Sequence, residues 1–262
     1  MSDDPTTQND AVTTERIDKT LLITINRPEA RNAVNSDVAQ GIEAAIDELE
    51  GDDTLFTGVI TGAGEVFCAG ADLKEIASGG GVSLMTPRGN FAGFVRRERD
   101  KPVIAALNGP ALAGGCEIAL ASDLIVATAS ATMGLPEVKR SLLAVAGGLV
   151  GLPDVVGEKV ALELAMTAER IPVERLHQVG LVNRVVDGDA VKEALELAAT
   201  INANAPLAVR ASRKAVLAAR DKSVDERWNY QMELLGGVAG SEDFAEGPRA
   251  FIEKRDPVWK GR

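Results

Sequence analysis

Short apolar runs, each bounded by Gly, Pro, Asn or Asp, recur through the first half of this 262-residue chain and alternate with helix-like segments. These strand-like runs cover residues 21–26, 58–61, 103–107 and 124–127. After the first run, apolar residues recur at helical spacing from Val38 to Leu49, and either Asn35 or Ser36 could cap that helix. Strands that alternate with helices predict an α/β core.

The pattern changes to helices alone from about Asp189. Pro206 suits the first turn of a helix, and Ser241 suits an N-cap. These helices carry more apolar side chains than short isolated helices can bury, namely Leu195, Leu197, Val209, Val216, Leu217, Trp228, Met232 and Leu235. We therefore predict a disordered acidic tail over residues 1–14, a core over residues 15–200, and a C-terminal helical region over residues 201–262 that docks against a neighbouring subunit.

Charge and cysteine content restrict the class of protein. The chain carries 28 Lys and Arg against 39 Asp and Glu, a net charge of −11, so we expect no nucleic-acid partner. No apolar run reaches the roughly twenty residues that cross a bilayer, and the first residues are polar, so we expect no membrane association. Cys68 and Cys116 are the only cysteines and lie far apart in sequence, which favours a reducing, cytoplasmic location.

Two glutamates and two turns of small residues are the candidate functional groups. Glu117 follows Ala-Gly-Gly-Cys at 113–116, and Glu137 follows Gly-Leu-Pro at 134–136. Residues 67–75 end a predicted strand in a turn where backbone N–H groups could approach a ligand closely. Alone, each glutamate fits a surface or first-turn charge, but together with the glycine-rich turns they favour acid/base chemistry. Asp72 is better placed to cap the helix that follows it.

Other sequence features point to structural roles. His177 is the only histidine and has no companion at metal-ligand spacing, so we expect a structural role and no metal site. The glycines at 62–64 and 114–115 lack the full dinucleotide pattern, so we expect neither NAD nor ATP. Three consecutive glycines at 79–81 predict a mobile loop over residues 77–83, which is either a surface connection or a flap over the ligand.

Several segments together resemble the crotonase, or enoyl-CoA hydratase/isomerase, superfamily over nearly the whole chain. They cover residues 26–33, 67–75, 108–111, 114–123, 135–137, 180–186 and 246–254. The resemblance implies an α/β spiral of stacked strand-strand-helix units with a C-terminal helical module for oligomerisation. It also implies homotrimers or dimers of trimers, an acyl-CoA thioester substrate, and no cofactor beyond the CoA that belongs to the substrate.

The resemblance assigns roles to particular residues. It implies that Glu117 and Glu137 are catalytic and that the backbone N–H groups of Ala71 and Gly114 stabilise an enolate oxygen. We assign Glu117 to water and Glu137, which would enter protonated, to the α-carbon. A raised pKa at Glu137 could come from an apolar pocket of Met133, Leu135, Leu142 and Leu143. Residues that match the family's CoA site are Arg27, Arg31, Ala69, Lys74, Phe251 and Lys254, the last two supplied in some members by an adjacent subunit.

The implied reaction is reversible addition of water to a 2-enoyl-CoA. Two other activities use the same enolate and remain as alternative interpretations, namely a Δ3,Δ2-enoyl-CoA isomerase and a specialised acyl-CoA dehydratase. A non-catalytic acyl-CoA-binding protein is a third alternative. The chain departs from the hydratase pattern after Glu137, where Ser141 replaces Gly and Ala144-Val145 replaces Pro-Gly. These replacements reduce backbone freedom and could reshape the acyl pocket, so the acyl length and branching stay open.

Overall fold

The computed structural model describes residues 10–262. The predicted tail over residues 1–9 lies outside the described residues. The tail prediction is wrong at its C-terminal boundary, because strand β1 already begins at Val12 and pairs with β2 from Val12 opposite Ile25 to Ile17 opposite Thr20. The alternation of polar and apolar residues here is too weak to reveal a strand that lies at the sheet edge.

A six-stranded sheet forms the centre of the core, in the order β1-β2-β3-β6-β8-β11. Its strands are β1 (Val12–Ile17), β2 (Thr20–Ile25), β3 (Thr57–Gly62), β6 (Val103–Leu107), β8 (Leu124–Thr128) and β11 (Arg184–Val186). Only β1 and β2 pair in antiparallel fashion. Every residue of β3 and β6 is buried, as expected for central strands covered on both faces. The four predicted strands are therefore confirmed within one or two residues.

Two smaller sheets lie at the side of the core that carries the candidate residues. A three-stranded sheet has the order β10-β9-β7, and a two-stranded hairpin joins β4 and β5. Their strands are β4 (Met85–Thr86), β5 (Asn90–Phe91), β7 (Ala111–Leu112), β9 (Thr132–Gly134) and β10 (Ile171–Pro172). The segment over residues 77–83, predicted as a mobile loop, includes most of a 3₁₀ turn formed by Gly80–Leu84.

Nine helices occur among the described residues. They are α1 (Ser36–Gly51), α2 (Leu73–Ala77), α3 (Gly114–Ala121), α4 (Gly148–Thr167, broken by a kink at Gly157), α5 (Val173–Gln178), α6 (Ala190–Asn202), α7 (Pro206–Ala218), α8 (Val224–Ala239) and α9 (Glu242–Glu253). Asn35 is the N-cap of α1, because its side-chain oxygen accepts from Val38 N at 3.0 Å. The acidic face of α1 makes ion pairs: Arg88 and Arg97 pair with Asp47, and the Arg88 pair ties the β4–β5 hairpin to α1.

Helix α6 belongs to the core and is not part of a separate module. Ala190, Ala194 and Ala198 pack against Ile104 and neighbouring residues of the central strands. At its end, Asn202 accepts from Thr57 Oγ1 and donates to Thr20 Oγ1, at 2.6 and 2.9 Å. The predicted boundary at residue 200 therefore falls inside a helix that closes the sheet, although the change to helices after Asp189 is confirmed.

Helices α7 to α9 bury few of their own apolar side chains. Helix α8 has no buried residue, and Trp228 and Met232 on it are 64% and 59% exposed. Helix α7 docks on the core through Arg213, which donates to Asp123 Oδ1 at 2.7 Å and to Arg99 O at 2.6 Å. Pro206 opens α7 and Ser241 caps α9, as predicted.

Within residues 10–262, no helix is both long enough and apolar enough to span a bilayer.

Candidate active site

A cavity of ≈ 1110 Å³ opens where the small sheets meet α3, the α1–α2 region and the segment after β9. The predicted site residues that line it are Arg27, Arg31, Ala69, Ala71, Lys74, Gly114, Glu117 and Glu137. Phe251 and Lys254 do not line it. Phe251 is 85% exposed near the end of α9, and Lys254 ends that helix with a left-handed backbone. One chain therefore brings together the predicted catalytic groups but not the predicted C-terminal CoA contacts.

The turn at Ala71 offers one unused backbone donor. Val34 forms a parallel bridge with Ala71, in which Val34 N donates to Gly70 O and Asp72 N donates to Val34 O, both at 2.8 Å. Ala71 N lies between these two bonds and has no acceptor in the part of the chain that the structure describes. An N–H group that lines a cavity without a partner can bind a ligand oxygen.

The entry to α3 offers a second donor. Ala113 N donates to Gly134 O at 2.9 Å, whereas Gly114 N, the first amide of α3, has no acceptor among residues 10–262. Ala113 has a φ of 52° and a ψ of −127°, a conformation that L residues rarely adopt. This strained residue turns the chain so that the amide of Gly114 lies at the positive end of the helix.

Close packing brings these two turns together. A Cβ on Gly70 would lie 2.7 Å from Ala113 Cβ and 3.0 Å from Gly114 N. A Cβ on Gly114 would lie 2.4 Å from ring atoms of Phe91, and one on Gly115 would lie 2.2 Å from Cys68 O. Only glycine permits this approach. The arrangement places two amides side by side at the cavity wall, suited to one oxygen that gains negative charge.

Glu117 lies in the first turn of α3 and is 4% exposed. Its Oε1 accepts from Gly148 N, the first residue of α4, at 3.0 Å. Burial raises the pKa of Glu117 to about 7, with a further rise from the charge of Glu137, while the amides of Gly148 and Ala146 oppose the rise. One carboxylate oxygen is thus held by a helix N-terminus while the side chain faces the cavity.

Glu137 lies in a 3₁₀ turn (Pro136–Arg140) that follows β9. Its Oε2 is buried and has no hydrogen-bond partner in the described residues. Burial raises the pKa of Glu137, and the residue's own backbone N–H opposes this rise. The predicted direction is confirmed. The value of about 7 at Glu117 was not predicted, because the burial of Glu117 depends on contacts with α4 that lie outside its motif.

The predicted apolar surroundings of Glu137 are only partly enclosed. Met133 and Leu135 are fully buried in the core, whereas Leu142 and Leu143 line the cavity and are 43% and 65% exposed. Ser141, which replaces Gly, keeps a left-handed φ of 54°. The turn after Glu137 therefore retains the backbone shape that glycine favours, at the cost of about 1 kcal/mol of strain.

The cations of the cavity differ in what they contact. Arg27 pairs with Asp72 at 3.1 Å, and Asp72 also caps α2 as predicted by accepting from Lys74 N at 3.1 Å. The side chains of Arg31 and Lys74 make no ion pair within residues 10–262. Arg31 and Lys74 are therefore the predicted CoA contacts with charge available for phosphate.

Residues outside the predicted site also line the cavity. Leu84, Met85 and Phe91 come from the β4–β5 hairpin region, and Lys139, Arg140 and Arg170 come from the Glu137 side. Nothing in their local sequence distinguishes them from ordinary core or surface residues. The only visible signal for the α4 contact to Glu117 was the Gly-Gly pair at 147–148.

His177 makes a local hydrogen bond, and the two cysteines are buried. His177 Nδ1 lies 2.7 Å from Val182 O at the end of α5, which supports the predicted structural role. Cys68 and Cys116 are free and buried, and burial raises the pKa of Cys68 to about 12 and that of Cys116 further. Neither thiol is suited to nucleophilic chemistry. The described residues contain no cluster of His, Cys, Asp and Glu that could hold a metal ion.

Comparison with known proteins identifies the family. Residues 15–262 match the family described as enoyl-CoA hydratase/isomerase. The chain is 40% identical to mevalonyl-coenzyme A hydratase sidH of Aspergillus fumigatus, over 92% of this chain and 91% of that protein. It is also 40% identical to carnitinyl-CoA dehydratase of Salmonella typhimurium, over 92% and 95% of the two chains.

A solved structure of an enoyl-CoA hydratase has the same fold over nearly the whole chain. The crystal structure of enoyl-CoA hydratase from Mycobacterium tuberculosis H37Rv superposes with a TM-score of 0.93 at 46% identity, covering 97% of this chain and 100% of that one. Family match, sequence identity and fold therefore agree with one another. The chain belongs to the enoyl-CoA hydratase/isomerase family.

Proposed function

We propose that this protein is an enoyl-CoA hydratase that adds water reversibly to the double bond of a 2-enoyl-CoA. The observation that carries the proposal is the joint placement of two carboxylates, Glu117 and Glu137, beside two unused amides, Ala71 and Gly114, in one cavity. An isomerase needs to move only one proton between two carbons. The second carboxylate therefore favours hydration over isomerisation.

The amides would act on the thioester carbonyl. As water attacks the β-carbon, the electrons of the double bond move onto the carbonyl oxygen and form an enolate. Donors at Ala71 N and Gly114 N would stabilise that oxygen, and each such donor typically contributes about 3 kcal/mol to lowering the barrier. The dipole of α3 adds to the bond from Gly114.

The glutamates would move the two protons. Glu117, with Oε1 held by Gly148 N, would use its remaining oxygen to accept a proton from the attacking water. Glu137 would enter protonated and deliver its proton to the α-carbon, a role supported by its buried Oε2, which has no hydrogen-bond partner in the described residues. Burial raises the pKa of both carboxylates, so the assignment of acid and base rests on these contacts. Water is added without any change of net oxidation state, so the reaction requires no redox cofactor.

Substrate binding would divide between the CoA and acyl ends of the cavity. Arg31, Lys74 and Ala69 line the part next to α2 and would contact CoA. Leu142, Leu143 and Phe91 supply apolar surface for the acyl group. The named substrates of the two sequence relatives, mevalonyl-CoA and carnitinyl-CoA, make substituted acyl groups the first to test beside straight-chain ones.

Assembly into trimers, or dimers of trimers, is part of the proposal. The exposed apolar residues of α8 require cover, and Phe251 and Lys254 could complete a CoA site only from another copy. Light scattering should give a multiple of three chains, and Trp228→Asp should shift the mass towards one chain. A wild-type monomer would contradict the assembly. The cytoplasmic location stays a prediction.

The function is tested by following loss of the enoyl-thioester absorbance. The panel contains crotonyl-CoA, longer and branched 2-enoyl-CoAs, and the dehydrated forms of mevalonyl-CoA and carnitinyl-CoA. Wild type should hydrate at least one member, and Glu117→Gln and Glu137→Gln should each lose about 10²- to 10⁴-fold in kcat. Glu174→Gln, at an exposed position on α5, is the matched control.

Three other outcomes would change the proposal. Isomerisation of a 3-enoyl-CoA without hydration would favour the isomerase. Dehydration of one substituted 3-hydroxyacyl-CoA alone would favour the specialised dehydratase. Binding of acyl-CoA esters without turnover of any of them would favour a non-catalytic acyl-CoA-binding protein.

A further inference from the structure

Arg27 makes contacts that differ from those expected of a CoA ligand. Its Nη1 and Nη2 donate to Asp72 Oδ2 at 3.1 and 3.2 Å, and Nη1 also donates to Ala33 O at 2.7 Å. The side chains of Arg27 and Asp72 are only 20% and 15% exposed. A guanidinium engaged by a carboxylate and a carbonyl has few donors left for a phosphate.

Both acceptors of Arg27 lie directly beside the amide of Ala71. Asp72 follows Ala71 in the chain, and Ala33 precedes Val34, the residue that bridges Ala71. Arg27 therefore joins the two segments of this bridge on either side of the amide. Ala71 N shares a planar peptide group with Gly70 O, which accepts from Val34 N at 2.8 Å, so the direction of the amide depends on how these two segments are held together.

Asn32 anchors the same network to the central sheet. It is fully buried, and its Oδ1 accepts from Arg27 N at 3.0 Å. Its Nδ2 donates to Ala63 O at 2.9 Å and to Val66 O at 2.6 Å, immediately after β3. Asn32 has a left-handed φ of 54°, so these bonds also hold a strained backbone in place.

We propose that Arg27 is a positioning residue that aligns the Ala71 amide with the thioester oxygen, acting through Asp72 and Ala33, and is not a ligand for CoA. The inference rests on the proposed function, since it concerns the same reaction. A donor in an oxyanion hole must lie about 3 Å from the oxygen, and a 1 Å displacement can cost about 10²-fold in rate. Loss of Arg27 should therefore reduce catalysis more than it reduces CoA binding.

Arg27→Met and Arg31→Met form a matched pair of variants. The side chain of Arg31 lines the same cavity and makes no ion pair in the described chain. Free CoA has no thioester carbonyl, so its affinity reports contacts with the CoA portion alone. The absorption band of bound cinnamoyl-CoA moves to longer wavelength when hydrogen bonds polarise its carbonyl, so this shift reports the alignment of the amides.

Arg27→Met should lose most of the spectral shift and about 10²-fold in kcat, with the affinity for free CoA changed by less than about threefold. Arg31→Met should weaken the binding of free CoA by about tenfold and keep the spectral shift of bound cinnamoyl-CoA. A variant Arg27→Met with weakened CoA binding and an intact shift would overturn the inference.

Asp72→Asn keeps the test decisive if Arg27→Met does not fold. Asparagine can still cap α2, and Arg27 stays available for CoA. We expect Asp72→Asn to lose the spectral shift as Arg27→Met does. A folded Asp72→Asn variant with the spectral shift and kcat of wild type would contradict the positioning role. If wild type shifts the band of cinnamoyl-CoA but hydrates no substrate, the proposed function fails while the alignment of Ala71 stands.

Discussion

The core and helices α7 to α9 differ in how they satisfy their apolar surface. Every residue of β3 and β6 is buried within the chain, whereas α8 buries none of its residues and α7 buries only Pro206. All the groups proposed for catalysis lie in the core. The comparison indicates that the groups proposed for catalysis depend on close packing inside one chain, whereas the C-terminal helices leave apolar side chains exposed on the single chain.

The strongest contrast should come from matched glycine-to-alanine changes. In Gly114→Ala the new Cβ would lie 2.4 Å from the Phe91 ring, so the turn must shift and move its amide. We expect kcat to fall by about 10²- to 10³-fold in steady-state hydration assays. Gly236→Ala on α8 adds a Cβ with no atom within 4 Å and should leave kcat unchanged.

Equal activity of the two alanine variants would contradict this contrast. It would mean that Gly114 is not held against Phe91 as tightly as the structure shows, or that its amide does not act on the substrate. Circular dichroism of both variants would first establish that they are folded.

The next effect concerns stability and pH. Because burial raises the pKa of Glu117 from 4.5 to about 7, folding favours its protonated form. Its stabilising contribution is present below pH 4.5 and is lost as the pH rises through 7, a difference of roughly 3 kcal/mol. Glu117→Gln should therefore raise the free energy of unfolding at pH 8 and change it little at pH 4.5.

Urea unfolding at the two pH values measures this difference. Glu174→Gln on the exposed face of α5 is the control and should show no pH-dependent gain. A Glu117→Gln variant with the same stability change at both pH values would show that Glu117 is not desolvated in the folded protein.

The same carboxylate predicts a pH profile for activity. As a general base, Glu117 must be ionised, so kcat/KM should fall as the pH drops below about 7. Measuring kcat/KM for one enoyl-CoA between pH 5 and 9 tests this decrease at low pH. A profile that stays flat down to pH 5 would contradict the role of Glu117 as the base.

A smaller effect tests how α7 is attached. Arg213→Met removes the bonds to Asp123 and to Arg99 O and should lower the free energy of unfolding by about 2 kcal/mol. Lys214→Met is the neighbouring control, since its pair with Asp100 is more exposed. If Arg213→Met is cleaved faster within α7 but keeps its kcat, the core and the C-terminal helices are separate in function. If Arg213→Met loses kcat together with stability, this distinction is wrong.

The smallest effect is expected from Gly236→Ala itself. Alanine inside an exposed helix is favoured over glycine by about 1 kcal/mol. Thermal unfolding should show a small gain if α8 unfolds with the core. No gain would indicate that α8 unfolds separately from the core.

Local pattern was enough to predict the central strands, the cap region of α1 and the start of α7 and α9. Strand β6 is a continuous apolar run and β3 has Val59 and Ile60 at its centre, a composition typical of central strands that are buried on both faces. The edge strand β1 was not predicted, because its position depends on pairing with β2. The predicted domain boundary at residue 200 divided α6, because the docking of α6 depends on strands far away in the chain.

The candidate site was predictable as a set of residues but not as a geometry. Glu117, Glu137, Ala71 and Gly114 stand in recognisable motifs, whereas the bond from Gly148 to Glu117 spans 31 positions. The pair between Arg27 and Asp72 spans 45 positions, and the contact of Phe91 with Gly114 joins a separate hairpin to α3. No local pattern carries such contacts.

Periodicity along the chain thus determined the fold class, and the sequence motifs carried the family resemblance and, with it, the groups able to move protons. Tertiary packing decided which groups are buried, and therefore that the pKa of Glu117 rises to about 7 and that Arg27 pairs with Asp72. The physical reason is that hydrogen-bonding capacity belongs to each residue, whereas desolvation and alignment arise only when distant segments exclude water together.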